Sequence, residues 1–395
     1  MIHIIRTRKF KSAAAVVLIR QPLTREFATY SPVICDILAH ASAKYPGIRQ
    51  MRTAAEDLYG AAMNVQVVQR GEQQILEFYF ESLTRDGNFK RGMEFLREII
   101  ENPLVVGNGF NRDFFESAVS HIRNDIEGRI NNKAEYAERR LIEEMCKGEP
   151  FGVSADGYLE DLDKLTSPGL LGYYKKALDT FPRDICAIGD VDESDINIFA
   201  SPKREIVIPP ASISYKPKQP TYFTEDFNTA QGKLCMGFRS KANPVGKDFY
   251  GLWLFNSLLG GGPNSILFKR VRERESLCYY INSVNYRAKS LVVIRCGVSA
   301  ENFERVTNIV LEEVAAIARG AFSPLDFQNA QSEIIKRLRA GEDYPNTLLN
   351  YYVSQYLIND KDTLTDAIAA ISALTPVDAI EAAAKVYLDT VYMLK

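Results

Sequence analysis

Histidine is the scarcest functional residue in this 395-residue chain, which has three: His3, His40 and His121. No two of them are four residues apart, so a helical turn cannot present a pair of imidazoles to one zinc ion. Cysteine offers no substitute. Cys35, Cys146, Cys186, Cys235, Cys278 and Cys296 stand singly, mostly in apolar sequence and with no C-x-x-C. That pattern excludes a disulfide framework and a thiolate metal cluster, and it indicates buried thiols in a reducing compartment. An excess of one charge is also missing. The 48 Lys and Arg balance 50 Asp and Glu to a net −2, which gives no global basic field for nucleic acid. Long apolar runs are missing too. Ala13 to Ile19 follows several basic residues but stops at Arg20, Gln21 and Pro22 without a small-residue cleavage site, so a strand is expected there rather than a signal peptide. No stretch approaches the ~18 apolar residues of a membrane helix, and the expected address is the cytoplasm, with no membrane partner. G-x-S-x-G, a phosphate-binding glycine loop ending in Lys-Ser/Thr, and G-x-G-x-x-G after a strand are all absent.

The composition, 46% apolar and 25% charged, belongs to a folded globular chain long enough for two cores. Its two halves run through the same elements. The first reads as a strand at Ala13 to Ile19, an apolar helix at about Pro32 to Ala41, a second helix ending at Leu58-Tyr59-Gly60, and alternating strands at Ala61 to Gln69 and Gln74 to Ser82. The second repeats this order. It has a strand at Lys233 to Arg239, a helix at about Asp248 to Leu259, a second helix ending at Leu277-Cys278-Tyr279, and strands at Tyr280 to Tyr286 and Ser290 to Val298. A helix pair follows in each half, with Ser323 and Pro324 starting one of them, and each half closes on Leu-Thr, a helix and an apolar strand. Proline-rich Ile206 to Tyr222 separates the halves. The expectation is an α+β chain of two related domains, each an antiparallel-rich sheet with helices packed on one side: residues 1–205, a linker at 206–222, and 223–395.

The densest candidate site is Gly260 to Ile281. Gly260, Gly261 and Gly262 end the preceding helix and open a turn, and Asn264 and Ser265 are placed to cap a new one. That helix is expected to turn Ile266, Leu267, Val271 and Leu277 inward, with Lys269, Arg270, Arg272 and Arg274 around its other faces. The five turn residues, Gly260 to Gly262, Asn264 and Ser265, are candidate substrate contacts. In Glu135 to Glu144, the charges Glu138, Arg139, Arg140, Glu143 and Glu144 are expected to form an exposed face with local pairs.

Ser265, Leu267, Phe268, Val271, Arg272, Glu273, Leu277 and Tyr279 fall in order on a pattern close to S-x-L-F-x-x-V-R-E-x-x-G-L-x-Y, with Ser276 at the glycine. In this the chain resembles the pitrilysin/insulinase superfamily of zinc peptidases, which includes the mitochondrial processing peptidases. The resemblance covers nearly the whole chain. Lys133-Ala134-Glu135-Tyr136-Ala137 and Pro150-Phe151-Gly152 also resemble landmarks of bacterial members that lack the zinc motif. It implies that Arg272 and Tyr279 bind the substrate backbone and help stabilise the transition state, and that the two halves form half of a peptidase clamshell closed by a second chain. Active members carry H-x-x-E-H on the first helix of the N-terminal half. Ser42-Ala43-Lys44-Tyr45-Pro46 resembles the stretch after that motif, and counting back from it puts the motif on Pro32, Cys35 and Asp36, which cannot replace it. His40 is accounted for as a cation at a helix C-terminus, and Glu116, near the family's third ligand, as a solvated charge. No metal is therefore expected in this chain.

The resemblance implies a non-catalytic subunit of a heterodimeric zinc peptidase, inactive by itself. A homologous H-x-x-E-H-bearing partner would hold the zinc, and this chain would lend Arg272 and Tyr279 to the cleavage of short peptides. The alternative is a non-hydrolytic peptide-binding or scaffold protein of the same fold. An active enzyme with displaced ligands is disfavoured by the histidine count.

Overall fold

A computed structural model describes residues 1–199, 201–203, 205–227 and 231–395. In chain order the first elements are β1 (Ile2–Arg6), β2 (Ser12–Pro22), α1 (Tyr30–His40), α2 (Ile48–Glu56), β3 (Ala62–Arg70), β4 (Gln73–Leu83) and α3 (Asn88–Glu101). A short hairpin of β5 (Val105–Val106) and β6 (Gly109–Phe110) leads to α4 (Arg112–Gly128), α5 (Lys133–Met145), α6 (Leu159–Leu162), α7 (Ser167–Thr180), β7 (Arg183–Gly189) and α8 (Glu193–Ile196). Then come β8 (Thr221–Glu225), β9 (Gly232–Ser240), α9 (Lys247–Gly260), β10 (Cys278–Tyr286), β11 (Leu291–Val298), α10 (Phe303–Ala318) and α11 (Pro324–Gly341). The chain ends with α12 (Pro345–Leu357), α13 (Leu364–Ser372), α14 (Pro376–Ala384) and β12 (Val386–Leu394).

The strands form two five-stranded sheets, ordered β1-β7-β2-β4-β3 and β8-β12-β9-β11-β10. These are the same topology. In each, only the outermost strand from the start of the half lies parallel to its neighbour, β1 on β7 and β8 on β12, and the other pairings are antiparallel. The expected α+β halves are therefore present with matching connections. β1, α12 and α13 were not anticipated from the sequence. β1 is short and only partly buried, and it lacks the alternation that marks a half-exposed strand.

Two compact units contain these sheets. The first comprises Met1–Gly128, Val153–Pro210 and Asp343–Val353, and the second Arg129–Gly152, Ala211–Glu342 and Ser354–Lys395. In the first, alternate residues of β2 (Ala13, Ala15, Val17, Ile19) and β4 (Leu76, Phe78, Phe80) meet Val33, Ile34, Ile37 and Leu38 of α1 and Met93, Leu96 and Ile99 of α3. Each large side chain buried this way contributes about 1.5–3 kcal/mol. The helices begin where the sequence signals. Ser323 accepts from Asp326 N at 3.1 Å while its own N–H donates to the Asp326 carboxylate at 3.1 Å, a capping box ahead of Pro324.

In the second unit α5 adds a cover that sequence did not anticipate. Its Ala137 and Leu141 pack with Cys235, Val293, Tyr392 and Leu394, so β9 is buried on both faces. The expected exposed charge face of α5 is corrected accordingly. Arg140 does pair locally with Glu143 at 2.6 Å and Glu144 at 3.0 Å, but Glu138 is buried and accepts hydrogen bonds from Tyr286 and Arg295, each at 2.9 Å. Beyond α5, Glu149 reaches two buried cations of the same unit, Arg239 at 2.7 Å and Lys289 at 2.8 Å. Arg239 is held from its other side by Asp389 at 2.8 Å.

Candidate functional site

α9 ends against β10. A Cβ on Gly260 would lie 2.7 Å from Ser283 Oγ and 2.9 Å from Ser283 N, so only glycine lets the helix end approach the strand this closely. Gly262 then closes a tight turn, its carbonyl accepting from Ser265 N at 3.0 Å and Ser265 Oγ at 2.6 Å, while Arg337 donates to the Gly261 carbonyl. Ser265 is thus spent on the turn and buried, not capping the next helix as expected, and Asn264 is exposed.

Phe268–Arg274 is wound as a π-helix, with Glu275 N–H donating to the Arg270 carbonyl five residues back. This winding was not legible in the sequence, which reads as an ordinary amphipathic helix. Such segments are frequent at functional sites because they re-aim side chains. Leu267, Val271 and Leu277 are buried as expected. Of the basic residues, Lys269 pairs with Asp326 of α11 at 2.8 Å, and Arg270 pairs with Glu312 and Glu313 of α10. Arg272 differs. It is exposed, its guanidinium carbon lies 4.7 Å from the centre of the Phe268 ring, and it makes no ion pair or hydrogen bond among the described residues.

The helix gives way to β10 through Ser276, which has the left-handed φ of 52°. This is the position where the motif has glycine. A left-handed L-residue costs roughly 1–2 kcal/mol, partly offset by glycine's larger entropy loss of roughly 0.5–1 kcal/mol on folding. Ser276→Gly is therefore expected to stabilise the chain by about 0.5–1 kcal/mol in urea unfolding, and a loss of stability would show that the serine is held by something other than backbone compromise.

β10 is the edge strand of its sheet, and its pairing with β11 shifts register between Cys278 and Tyr280. Tyr279 is the extra residue of this bulge and is 73% exposed. A bulge at an edge is a common device for turning a side chain away from the pleat. Arg272, on the helix that leads into β10, and Tyr279, at the bulged end of β10, are thus a cation and a phenol that both face solvent.

The N-terminal unit holds the positions where the zinc motif would fall. Pro32 has no donor atom and is buried. Cys35 is buried, and burial followed by the neighbouring Asp36 charge pushes its thiol far above the usual range. Asp36 is already engaged. His40 Nδ1 donates to the Asp36 carbonyl at 2.6 Å and lies 3.6 Å from the carboxylate, while His121 of α4 reaches that carboxylate through Nδ1 at 3.3 Å. The two rings are 6.2 Å apart. Glu116 pairs with Arg112 at 2.7 Å. These residues do not fit zinc: both imidazoles spend Nδ1 on Asp36, and no group of three His, Cys, Asp or Glu among the described residues is arranged to hold a metal ion.

Sequence reading missed the clustering of His40 and His121, which are brought together by packing of α1 on α4. The hydrogen bond that His40 donates to Asp36 raises the His40 pKa above its usual 6.5 against burial. Burial alone would raise the Asp36 carboxyl, but His40 and then His121 hold it below its usual 3.8. A raised histidine pKa stabilises the fold fully below pH 6.5 and loses that contribution as pH rises through the folded value. A depressed carboxyl contributes above pH 3.8 and is lost as pH falls through its own. The Asp36–His40 interaction within α1 is therefore expected to contribute most at mildly acid pH. An NMR titration should place His40 above 6.5 and return it toward that value in Asp36→Asn, whereas an unchanged midpoint in the variant would remove Asp36 as the cause.

The architecture is that of a peptidase-like chain without its metal motif, and comparison with known proteins places it. The sequence model of the family described as the peptidase M16 inactive domain matches residues 165–334. A probable inactive metalloprotease of Bacillus subtilis strain 168, YmfF, is 27% identical over 404 residues, covering 100% of this chain and 95% of the relative. Among solved structures, a conserved protein from Enterococcus faecalis V583 superposes with a TM-score of 0.91 at 23% identity, covering 100% of this chain and 96% of the other. A peptidase M16 inactive domain from Pseudomonas fluorescens does so with a TM-score of 0.82 at 15% identity, covering 100% and 95%. Residues 165–334 thus match the peptidase M16 inactive domain, the chain is similar over its whole length to a probable inactive metalloprotease, and it lacks the H-x-x-E-H motif.

Among the described residues no single helix is long and apolar enough to cross a membrane.

Proposed function

We propose that this chain is the non-catalytic subunit of a heterodimeric zinc peptidase, working in the cytoplasm on short peptides beside a homologous chain that carries H-x-x-E-H. The observation that carries this reading is the contrast within one helical turn and the strand after it. Lys269 and Arg270 are tied to carboxylates of their own unit, whereas Arg272 and, at the bulged end of the edge strand, Tyr279 are exposed and make no ion pair or hydrogen bond among the described residues.

In this reading the partner supplies metal and base, and this chain supplies placement and charge. An extended peptide is fixed through its backbone. The Arg272 guanidinium donates to a backbone carbonyl, and the Tyr279 hydroxyl donates to carbonyl oxygen as negative charge develops there. Both donors gain strength once the closing chains exclude water. Each acts as a hydrogen-bond donor, the guanidinium through its N–H groups and the phenol through its O–H.

Co-expression with the H-x-x-E-H-bearing chain tests the proposal. The two are expected to co-elute as a heterodimer with about one zinc per pair, and the zinc should stay with the partner when the chains are separated. Stoichiometric zinc on this chain by itself, or elution of the two chains apart, would contradict it. A pair that forms but cleaves no peptide would favour the peptide-binding scaffold instead.

A further inference from the structure

β10 and β11 carry two cysteines to which nothing above assigns a role. Cys278 lies opposite Val298, and Cys296 is two residues from Val298 on the same strand. Opposed residues and residues two apart share a sheet face, so the two thiols leave the same face of neighbouring strands as a diagonal pair. The neighbouring thiols affect each other's protonation. That interaction draws the Cys278 thiol below its usual pKa against the effect of burial, with the Arg272 guanidinium adding to the lowering, and it joins burial in pushing Cys296 well above. Cys278 is also the one cysteine of the six that is not buried. A half-exposed thiol beside a guanidinium and a second thiol is the arrangement in which one sulfur reacts and the other resolves.

We propose that Cys278 and Cys296 form an oxidisable dithiol, a peroxide-modification site in which Cys278 reacts first and Cys296 closes the disulfide. The Cys278 thiolate attacks one oxygen of hydrogen peroxide. The O–O bond breaks, an S–O bond forms, and the departing hydroxide leaves as water after taking up the thiol proton, giving the sulfenic acid. Cys296 sulfur then bonds to Cys278 sulfur, the S–O bond breaks, and the hydroxyl leaves as a second water with the Cys296 proton. Two thiols are oxidised and one peroxide is reduced to two waters. Diagonal positions lie about 7–8 Å apart at Cα, longer than most disulfides span. Closing the bond therefore draws in the bulge at Tyr279, where an extra residue gives the backbone slack. The modification stands independently of the proposed function; only its effect on Tyr279 as a substrate contact rests on that reading.

The test uses the full chain and hydrogen peroxide in rising doses, with remaining thiols blocked under denaturation and peptides mapped by mass spectrometry. Trypsin leaves Cys278 on the Glu275 to Arg287 peptide and Cys296 on the Cys296 to Arg305 peptide. A cross-link between these two is expected at doses that leave Cys35, Cys146, Cys186 and Cys235 alkylated as free thiols. In Cys296→Ala, Cys278 should stop at a sulfenic acid trapped by dimedone. In Arg272→Gln its alkylation by iodoacetamide at neutral pH should slow about threefold or more as thiolate is lost. If Cys296→Ala fails to fold, the wild-type map alone decides. Cys278 recovered reduced while buried cysteines oxidise, or oxidised without linkage to Cys296, overturns the proposal.

Discussion

Arg272→Ala and Tyr279→Phe are each expected to lower kcat of the reconstituted pair by about 10²-fold, the usual cost of removing one well-placed transition-state donor. The substitutions remove one group apiece from side chains that, among the described residues, make no ion pair or hydrogen bond with the rest of the chain. Folding and heterodimer formation should therefore be unchanged. The division between kcat and KM identifies the role. Loss of a donor used only as charge develops lowers kcat and kcat/KM together, whereas loss of a ground-state contact raises KM. Arg274→Ala is the matched control, an exposed cation on the same turn that is not placed at the site. If both Arg272→Ala and Tyr279→Phe turn over like wild type, Arg272 is only a surface charge and Tyr279 only the exposed residue of a bulge.

Glu149→Ala is expected to destabilise the second unit by about 3–5 kcal/mol, because it takes a carboxylate away from two buried cations. Lys289 is fully buried at its side chain and Arg239 is 5% exposed, and Glu149 is shared between them. Arg239 keeps Asp389 after the substitution, whereas Lys289 loses the Glu149 carboxylate at 2.8 Å and keeps Ser212 among its hydrogen-bond partners. Lys289→Met should cost less than Glu149→Ala, since it removes the charge together with the need for a partner. Urea unfolding followed by far-ultraviolet circular dichroism measures both. A change under about 1 kcal/mol for Glu149→Ala would mean that water or a rearranged neighbour replaces the carboxylate.

How much of this was legible in the sequence depends on the range over which each feature is encoded. The repeated strand, helix and hairpin order was readable because period-two strands such as Ala62–Arg70 and capped helices such as Pro324–Gly341 announce themselves locally. The ordered match from Ser265 to Tyr279 likewise lies within one short stretch of sequence. What was missed depends on distant partners. Glu138 looks like one more surface charge on α5 until Tyr286 and Arg295, more than a hundred residues away, are brought to it. His40 and His121 seem unrelated until α1 packs on α4 around Asp36. The π winding of Phe268–Arg274 and the bulge at Tyr279 leave no compositional mark, and the only hint is Ser276 standing where a left-handed turn favours glycine.

The decisive measurement is peptide turnover by the H-x-x-E-H-bearing chain with and without this one, at equal zinc occupancy. Hydrolysis is expected only from the mixture, rising to a plateau at one chain of each kind and falling about 10²-fold when Arg272→Ala replaces wild type. Full activity from the zinc-bearing chain by itself, unaltered by adding this chain, would contradict a role for it in the peptidase.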